Sequence, residues 1–186
     1  TAIRMRDLIQ IFTKTGATAR MLGVTYGELA AMGAALVPQS GGPLEAGTAI
    51  QSILLRLGQD TPLVTDRLRD LGIVANDPDW LGKTATQKLQ TIAVEFDNLS
   101  ESQKGTTAQI LGTKYHANKF STLMQEMVNP VGLYAAALEA ANDPLARQKA
   151  LTDELNAVLE SNPRRWDIMT NSIRNSLADA FQPLLP

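Results

Sequence analysis

Apolar residues along this chain recur at spacings of three and four rather than two. This period is typical of amphipathic helices because it places the apolar side chains on one helix face. Ala, Leu, Gln, Glu, Lys and Arg dominate the sequence, whereas aromatic and β-branched runs are sparse. We therefore predict an all-α fold, a multi-helix globular bundle of about eight to ten short helices that is part of a longer chain.

Capping motifs predict where the helices begin. Thr25 with Glu28, and Ser100 with Gln103, fit capping boxes, in which each side chain satisfies the other residue's backbone N–H. A capping oxygen also precedes each of three prolines, at Thr61, Asp143 and Asn162. With their stop signals these motifs predict helices near residues 2–14, 26–37, 44–57, 62–71, 84–98, 101–127, 131–141, 144–160 and 163–182, the sixth broken at Gly112.

Two stretches between the predicted helices are irregular. Residues 37–43 and 73–82 carry the Gly, Pro, Asn and Asp that turns require, and the second could form a short hairpin. We predict a helical core module over residues 1–142 and a pair of C-terminal helices over 143–186. Both C-terminal helices carry an apolar stripe, and we expect the second stripe to serve assembly with other copies.

Composition and charge exclude several classes of function. The 186 residues are enough to bury a sizeable core, and the formal charge of −2 gives no long-range field to attract nucleic acid or an anionic membrane. The absence of cysteine rules out disulfides and thiolate metal sites, and a single histidine leaves little imidazole chemistry. We accordingly predict no cofactor and no bound metal.

The chain carries no obvious membrane or secretion signal. Its longest apolar run, residues 29–37, has nine residues, far fewer than the roughly 20 that a transmembrane helix needs. The first twelve residues lack the uninterrupted apolar stretch of a secretion signal. Because the chain begins with Thr1 rather than Met, we expect it to be processed or cut from a longer protein.

Two short motifs resemble ligand-binding loops but lack a required position. Gly82-Lys83-Thr84 matches the end of a phosphate-binding loop, yet the earlier glycine of that loop is replaced by Asp77. Asp77, Asp79 and Gly82 also imitate the start of a calcium loop, yet Lys88 stands where the closing carboxylate belongs. We therefore interpret Asp77 as a turn residue.

Acid–base chemistry is the main enzymatic alternative. His116 has no carboxylate, nucleophile or second ligand at a definable spacing, so we interpret it as an ordinary helical histidine. A pair of carboxylates could in principle hydrolyse glycosides, and the acidic residues available for such a pair are Glu95, Asp97, Glu101, Asp153 and Glu154. Solvated helix charges are the simpler interpretation, and a cell-wall hydrolase that uses Glu95 and Glu101 is the alternative.

Two further stretches suggest contacts with partners. Small residues from Gly27 to Ala35 permit close helix approach, either in a soluble bundle or in a membrane-active segment, which is a third hypothesis. Arg164, Arg165 and Trp166 begin the last predicted helix, where cations oppose the helix dipole. These three residues are therefore candidates for contact with a partner protein or nucleic acid, with ordinary surface pairing as the alternative.

Several segments resemble a known family in their order along the chain. Residues 22–58, from LGVTYGELAAM to EAGTAIQSILLRLG, resemble the core region of the phage tail tape measure protein family, which pairs a small-residue helix with an AGTAL helix start and a leucine stripe. RLRDLGI, NLSESQKGTTAQILGTKYHANKFSTLM and NSIRNSLADAFQPLLP continue the family's order, so that the resemblance covers about Leu8 to Pro186. The sequence departs from the pattern at Ile50, Gln51 and Leu111, and it lacks the family's DxxGxxR turn within 73–84.

This resemblance implies a virion structural protein without enzymatic activity. It implies a large helical protein, present as several copies in the tail tube lumen or tail tip and in the host cytoplasm during assembly. Such a protein sets tail length, takes part in tail assembly and leaves ahead of the genome in a phage, a prophage or a gene transfer agent. The implied partners are other copies of the chain, tail tube and tail tip or baseplate hub proteins, and transiently the genome DNA end and the host envelope, with no small-molecule substrate.

Within the resembling region we expect packing residues rather than catalytic ones. The family-motif packing positions are Ala46, Gly47, Thr48, Ala49, Leu54, Leu57 and Gly112. The small residues should let the third helix approach a neighbour closely, while Ile50, Ile53 and the two leucines bury its stripe. An extended helix lengthens by about 1.5 Å per residue and a globule does not, so we assign this segment to a folded module rather than to the length ruler.

Overall fold

A computed structural model describes residues 4–143 of the chain. Within this range the regular secondary structure is helical and contains no strand, which confirms the all-α prediction. In chain order the helices are α1 Met5–Met21, α2 Tyr26–Leu36, α3 Pro43–Leu57, α4 Pro62–Asp70, α5 Pro78–Leu81, α6 Ala85–Asp97, α7 Glu101–Leu111, α8 Ala117–Val128 and α9 Leu133–Asn142, with a 3-10 turn at Val37–Gln39. They belong to one compact unit that spans Thr1–Pro144.

Both predicted capping boxes form. Before α2 the Thr25 N–H donates to Glu28 Oε2 at 2.7 Å, and the Glu28 N–H donates to Thr25 Oγ1 at 3.2 Å. Ser100 and Gln103 make the same reciprocal exchange before α7. A third box of this kind, which was not predicted, begins α6 at Thr84. These reciprocal bonds fix three helix starts through residues only three positions apart.

Helix α4 begins at the predicted threonine–proline pair, but by a different means. The Thr61 side chain makes no capping hydrogen bond, and its Oγ1 is buried without a partner. The start depends instead on Pro62, whose fixed φ and missing N–H suit the first helical turn.

Helix α1 is longer than predicted, since it ends at Met21 rather than near residue 14. Threonines and a glycine in this stretch weaken an isolated helix, and that local signal caused the error. In the fold Thr15 and Thr18 are buried, and the Thr15 hydroxyl donates to the Ile11 carbonyl at 2.7 Å. Packing of this face therefore extends the helix until Gly23, whose φ of 70° is the left-handed conformation that ends it.

The hairpin that the sequence allowed within 73–82 does not form. The stretch contains the one-turn helix α5 instead, and Asp77 caps this helix by accepting the Asp79 N–H at 2.8 Å. Trp80 is buried in the core, and the Lys88 ammonium lies 5.6 Å from the centre of its ring. Burial of one large indole fixes this segment as a helical turn, so it needs no strand pairing.

Helices α1 and α3 lie side by side and run in the same direction. Near the start of α3, Gly47 faces Lys14 of α1, and just past the end of both helices Gly58 faces Leu22. Because both pairs advance together along the sequence, the two helices are parallel. Helix α2 lies between α1 and α3 in the sequence and returns the chain from the end of α1 to the start of α3. Seven of its eleven residues are buried.

Helix α9 packs on α2. A Cβ built on Gly27 at the start of α2 would lie 3.1 Å from the Ala141 Cβ at the end of α9, so the two helices run antiparallel. Elsewhere the Phe96 ring of α6 meets the Phe120 ring of α8 edge to face, with centres 5.8 Å apart. Such a pair contributes roughly 0.5–1.5 kcal/mol beyond the area that it buries.

One hydrophobic core connects the described helices. Its largest fully buried side chains come from six helices and are Phe96, Phe120, Ile11, Leu29, Met32, Leu36, Ile50, Ile53, Leu54, Leu89, Ile92 and Leu111. The predicted C-terminal helices, with their apolar stripes and with Asp153, Glu154, Arg164, Arg165 and Trp166, lie outside the described residues. The module boundary near 142 therefore stays a prediction.

Candidate functional site

The small residues of the family motif, at positions 46–49, lie in the first half of α3 and against α1. Ala46 and Ala49 have no exposed surface, and Gly47 is so close to α1 that a Cβ there would lie 3.3 Å from the Lys14 Cβ. Thr48 is half-buried, and its hydroxyl donates to a carbonyl of its own helix at 2.9 Å. The small side chains at this point allow the two helix backbones to approach closely.

The apolar stripe of α3 continues from this contact into the core. Leu57 is half-buried against the core, and three further side chains have no exposed surface, namely Ile50, Ile53 and Leu54. Beside the stripe the Gln51 Nε2 donates to the Thr18 Oγ1 of α1 at 3.3 Å. Gln51 is a departure from the family pattern, and here it adds a polar contact between the two parallel helices.

Gly112 ends α7 at the predicted break and forms the corner before α8. A Cβ on Gly112 would overlap the Phe120 Cβ and would lie 2.7 Å from the Ala108 carbonyl oxygen. The next residue, Thr113, has a φ of 67°, which is uncommon for a residue other than glycine. At this corner the backbone turns sharply, and the buried Phe120 side chain packs directly against Gly112.

Arg67, which no sequence motif indicated, joins α4 to α7. Its side chain is only 11% exposed; Nε donates to the Thr107 Oγ1 at 2.9 Å and Nη2 donates to the Gln103 carbonyl at 3.1 Å. Its third nitrogen, Nη1, donates to Asp70 Oδ2 at 3.1 Å. One guanidinium group thus satisfies polar groups on two helices at once.

Arg56 makes a similar link from the end of α3. Its Nε donates to the Ile110 carbonyl of α7 at 3.0 Å, and its Nη1 donates to Gln59 Oε1 at 3.0 Å. The Ile110 carbonyl belongs to the last turn of α7, where backbone oxygens lack a partner within the helix. Nothing local in the sequence separates Arg56 and Arg67 from surface arginines, because their partners lie far along the chain.

An ionic cluster connects the start of α3 to α8. The Lys119 Nζ lies 2.6 Å from Glu45 Oε1, and Glu45 Oε2 accepts the Gly41 N–H at 2.7 Å. Hydrogen bonding from Lys119, then from the Gly41 amide, lowers the pKa of Glu45. Glu45 therefore stays ionised and holds both the loop before α3 and the first turn of α8.

His116 lies next to this cluster and not within a helix. It is the N-cap residue of α8, half-buried, and its Nδ1 is buried without a hydrogen-bond partner. Burial, and then Lys119, lowers the pKa of His116, while the nearby Glu45 carboxylate opposes that shift. The interpretation of His116 as a residue within a helix was therefore wrong, and folding brings to it a carboxylate, Glu45, from 71 positions away in the chain, which local spacing does not reveal.

The acidic residues considered for hydrolysis that the structure describes, Glu95, Asp97 and Glu101, lie on the surface. Glu95 on α6 and Glu101 at the start of α7 are exposed, and Lys104 contacts Glu101 at 3.4 Å. In the part of the chain that the structure describes, one open cavity of about 280 Å³ is lined by Asp60, Thr65, Arg69, Ile73, Val74, Ala75 and Asn76. Another of about 280 Å³ is lined by Met21, Leu22, Gly23, Leu57, Gly58, Gly82, Lys83, Thr84, Ala85 and Lys88. Neither cavity contains a pair of carboxylates.

The incomplete ligand loops serve as helix caps. Asp77 caps α5, and the Thr84 hydroxyl accepts the Gln87 N–H at the start of α6. Among residues 4–143, no group of three or more His, Asp and Glu side chains is arranged to hold a metal ion. In the same part of the chain, no helix has both the length and the apolar character needed to cross a membrane.

Comparison with models of known protein families shows which family the chain belongs to. A family model described as phage-related minor tail protein matches residues 1–113, more than half of the chain. The chain belongs to this family. The match confirms the phage tail family that the motifs indicated, and membership of this family indicates a structural role in the virion tail. No solved structure matches the chain.

The family match ends at the glycine corner, but the fold continues. Residue 113 follows Gly112 directly, so the match covers α1–α7 and includes the α1–α3 contact. Beyond it, Phe120, Leu123 and Tyr134 of α8 and α9 are buried in the same core. Two helices that the family model does not cover, α8 and α9, therefore complete the hydrophobic core of the matched region.

Proposed function

We propose that this chain is a folded module of a tail tape measure protein, which acts in tail length determination, tail assembly and genome ejection of a phage or a phage-derived particle. One observation carries the proposal. The minor tail family match includes the resembling segment 22–58, and the small residues of that segment are used for helix packing. The further motifs follow in the order expected of tape measure proteins.

The compact fold favours the role of a folded module over that of the extended helix that sets tail length. As one straight helix, 186 residues would extend about 280 Å at about 1.5 Å per residue. The described helices instead turn back on one another around a shared core. The length of such a module depends little on its residue count, so the ruler of the proposed protein would lie in sequence outside this chain.

The proposed partners are protein surfaces of the tail. They are other copies of the chain, tail tube proteins and tail tip or baseplate hub proteins, with transient contact to the genome end and the host envelope during ejection. Arg164, Arg165 and Trp166 are proposed to contact a partner. The proposed place of action is the tail tube lumen or the tail tip, after assembly in the host cytoplasm, and the proposed role requires no catalysis.

An in-frame deletion tests the module against the ruler. In a phage that carries this chain, codons 4–143 are removed, and a second phage loses 140 codons of predicted continuous helix elsewhere in the same gene. We expect the first deletion to abolish complete tails and the second to shorten tails by up to about 210 Å, at about 1.5 Å per residue, in negative-stain electron micrographs. Normal tails after the first deletion would refute the proposal, and so would viable tails shortened by that same length.

A biochemical test addresses the hydrolase alternative. The purified chain is incubated with peptidoglycan, and soluble muropeptides are measured by mass spectrometry for wild type and for Glu95→Gln and Glu101→Gln. We expect no release above buffer from any of them, since both carboxylates are exposed and line neither described cavity. Release that either substitution abolishes would establish catalysis and contradict the structural role.

A further inference from the structure

One of the two open cavities lies where the parallel helices α1 and α3 end and α6 begins. The last residues of α1 and α3 form part of its wall, and the loop before α6 with the first turn of that helix forms the rest. The Ala85 N–H of α6 donates to the Leu22 carbonyl just past α1 at 3.3 Å. This bond and the capping box at Thr84 fix the walls, so the cavity is formed before any partner binds.

Two glycines keep this cavity free of side chains. Gly58 and Gly82 line it, and their φ values of −80° and −74° are helical values that any residue adopts. A Cβ on Gly58 would lie 3.5 Å from the Leu22 Cδ2, and one on Gly82 would lie 3.4 Å from the Pro78 carbonyl oxygen. Both distances are ordinary contacts. Neither the backbone nor the local packing therefore requires glycine, and the effect of glycine at both positions is to leave the cavity open.

The inner surface of the cavity is apolar. Leu22 and Leu57 are half-buried against the core, Ala85 is buried, and Met21 at the edge is 69% exposed. A flexible methionine can adjust to the shape of an apolar group that enters. The volume of about 280 Å³ is at the lower limit of pockets for drug-sized ligands, which measure roughly 300–1,000 Å³. The cavity therefore suits one large apolar side chain.

Two lysines give the cavity a cationic rim. Lys83 and Lys88 both line it and are half-buried. The Lys88 ammonium lies 5.6 Å from the centre of the Trp80 ring, a contact that holds the charge in place without neutralising it. Within residues 4–143 the Lys83 ammonium has neither an ion pair nor a hydrogen bond. Among the same residues no carboxylate lines the cavity, since Asp60 and Asp79, which are close in sequence, lie outside its lining.

We propose that this cavity binds an acidic peptide segment of a partner protein. The segment inserts one large apolar side chain against Leu22 and Leu57 and places carboxylates beside Lys83 and Lys88. Burial of the apolar side chain supplies most of the affinity, and the charge pairs orient the segment. The whole chain has a formal charge of −2, so no broad cationic field attracts a membrane or nucleic acid. The local pair of lysines instead matches a few carboxylates of a peptide.

This inference goes beyond the tape measure proposal, because it rests on the shape and the charge of one cavity. It is tested in solution with the purified full-length chain. The tape measure proposal is tested by deletion in a phage, so either one can fail while the other stands.

A peptide selection tests the chemistry of the partner. A displayed library of short random peptides is selected on the full-length chain, and the enriched peptides are synthesised with a fluorophore for anisotropy titrations. We expect acidic peptides that carry a large apolar residue, with binding that weakens as salt is added. Replacing that apolar residue by Ala, or its acidic neighbours by Gln, should weaken binding by about tenfold or more. Enrichment of peptides without acidic residues, or of none, would refute the proposal.

Two pairs of variants test whether the peptides occupy this cavity. Lys83→Glu reverses a charge on the rim, and its control is Lys114→Glu, at an exposed lysine outside the lining. Gly58→Leu places a side chain at the cavity wall, and its control is Gly105→Leu, where a Cβ meets open space. We expect about tenfold or more weaker binding from the first variant of each pair and less than about twofold from its control.

Circular dichroism checks that each of these variants keeps its helical content. If Gly58→Leu loses helicity, the lysine pair alone decides the test. Equal binding by Lys83→Glu and Lys114→Glu would show that the peptides bind elsewhere, and the proposed site would be wrong.

Two other occupants are tested with the same lysine variants. The chain is sedimented with vesicles of phosphatidylglycerol and phosphatidylcholine, and it is titrated into a labelled DNA duplex. We expect no binding to either that depends on Lys83. Binding that is lost in Lys83→Glu and kept in Lys114→Glu would assign the cavity to a lipid surface or to DNA, and it would overturn the assignment to an acidic peptide.

Discussion

Gly47 and Gly112 are both buried where two helices meet, but the two contacts differ in how much space they leave. At Gly47 the nearest atom to an added Cβ would be the Lys14 Cβ at 3.3 Å, so a shift of a few tenths of an ångström between the helices would make room. At Gly112 the same addition would overlap the Phe120 Cβ and approach the Ala108 carbonyl to 2.7 Å. The α1–α3 contact is therefore adjustable, whereas the α7–α8 corner has no room for any side chain.

This difference shows that two residues of the same family motif can differ in how well they tolerate an added side chain. Both glycines lie within the family match, and both belong to the set expected to pack. Their tolerance depends on what faces them. The atoms that face Gly47, from Lys14 and the Ile11 backbone, would lie 3.3 Å or more from an added Cβ, whereas Phe120 and the Ala108 carbonyl would lie within 3.0 Å of one on Gly112.

The largest effect is expected at the corner. Gly112→Ala should lower the free energy of unfolding by about 3 kcal/mol or more, since neither the Phe120 backbone nor the helix carbonyl can move away cheaply. Urea unfolding followed by circular dichroism measures this loss. Gly105→Ala in the same helix is the control, and it should stabilise the chain by about 0.5–1 kcal/mol because its Cβ meets open space. Equal stability of the two variants would show that the corner at Gly112 has room for a side chain.

A smaller loss is expected at the α1–α3 contact. Gly47→Leu should lower the unfolding free energy by about 2 kcal/mol, because the added side chain overpacks a contact that can only partly relax. Gly47→Ala should change it by less than about 1 kcal/mol, since improved helix propensity offsets the small shift of Lys14. The same urea series measures both variants. If Gly47→Ala were as damaging as Gly112→Ala, the two contacts would be equally rigid.

The hydrogen bonds from Arg67 to α7 should contribute somewhat less to the free energy of unfolding. Arg67→Met keeps much of the side-chain length but removes the donors to Thr107 and to the Gln103 carbonyl, and it should cost about 1–2 kcal/mol. Arg69→Met is the control on the same helix, because Arg69 is 73% exposed and pairs only with the exposed Asp66 among the described ion pairs. That control should cost less than about 0.5 kcal/mol. Equal thermal denaturation midpoints would show that the buried guanidinium adds nothing.

The ionic cluster that joins the two regions should give the smallest effect, and one that depends on pH. The pKa of Glu45 is lowered from its ordinary value of 4.5 in the folded chain, so its pair with Lys119 stabilises the fold above that value and is lost as the pH falls through the folded pKa. The stability difference between wild type and Glu45→Gln should therefore be present at pH 7 and shrink below pH 4.5. Added salt should also reduce it.

Glu101→Gln is the matched control for this pH series. Glu101 also lies in the first turn of a helix and contacts a lysine, but that lysine belongs to its own helix, three residues on. His116 faces the Glu45 pair, so both comparisons are repeated in a His116→Gln background. A pH dependence that is the same for the Glu45 and Glu101 variants would contradict a specific role for the link between α3 and α8.

Predictions from the sequence were accurate where the decisive contacts are local. The capping boxes at Thr25 and Ser100, and the break at Gly112, depend on neighbours within a few positions, and the structure contains all three. The errors in α1 and α5 arose where burial of distant surfaces decides. Thr15 and Thr18 extend α1 because they are buried, and Trp80 fixes a helical turn in a stretch rich in loop residues.

The sequence by itself determined that the chain is helical, where most helices begin, and that it belongs with phage tail proteins, because periodicity, caps and motif order are written in consecutive residues. Tertiary structure alone decided which polar residues matter and how tightly each glycine is held. Arg67 meets Thr107 from 40 positions away, and Glu45 meets Lys119 across two packed helices. Such pairings depend on how the helices pack in space, and no short window of sequence contains that information.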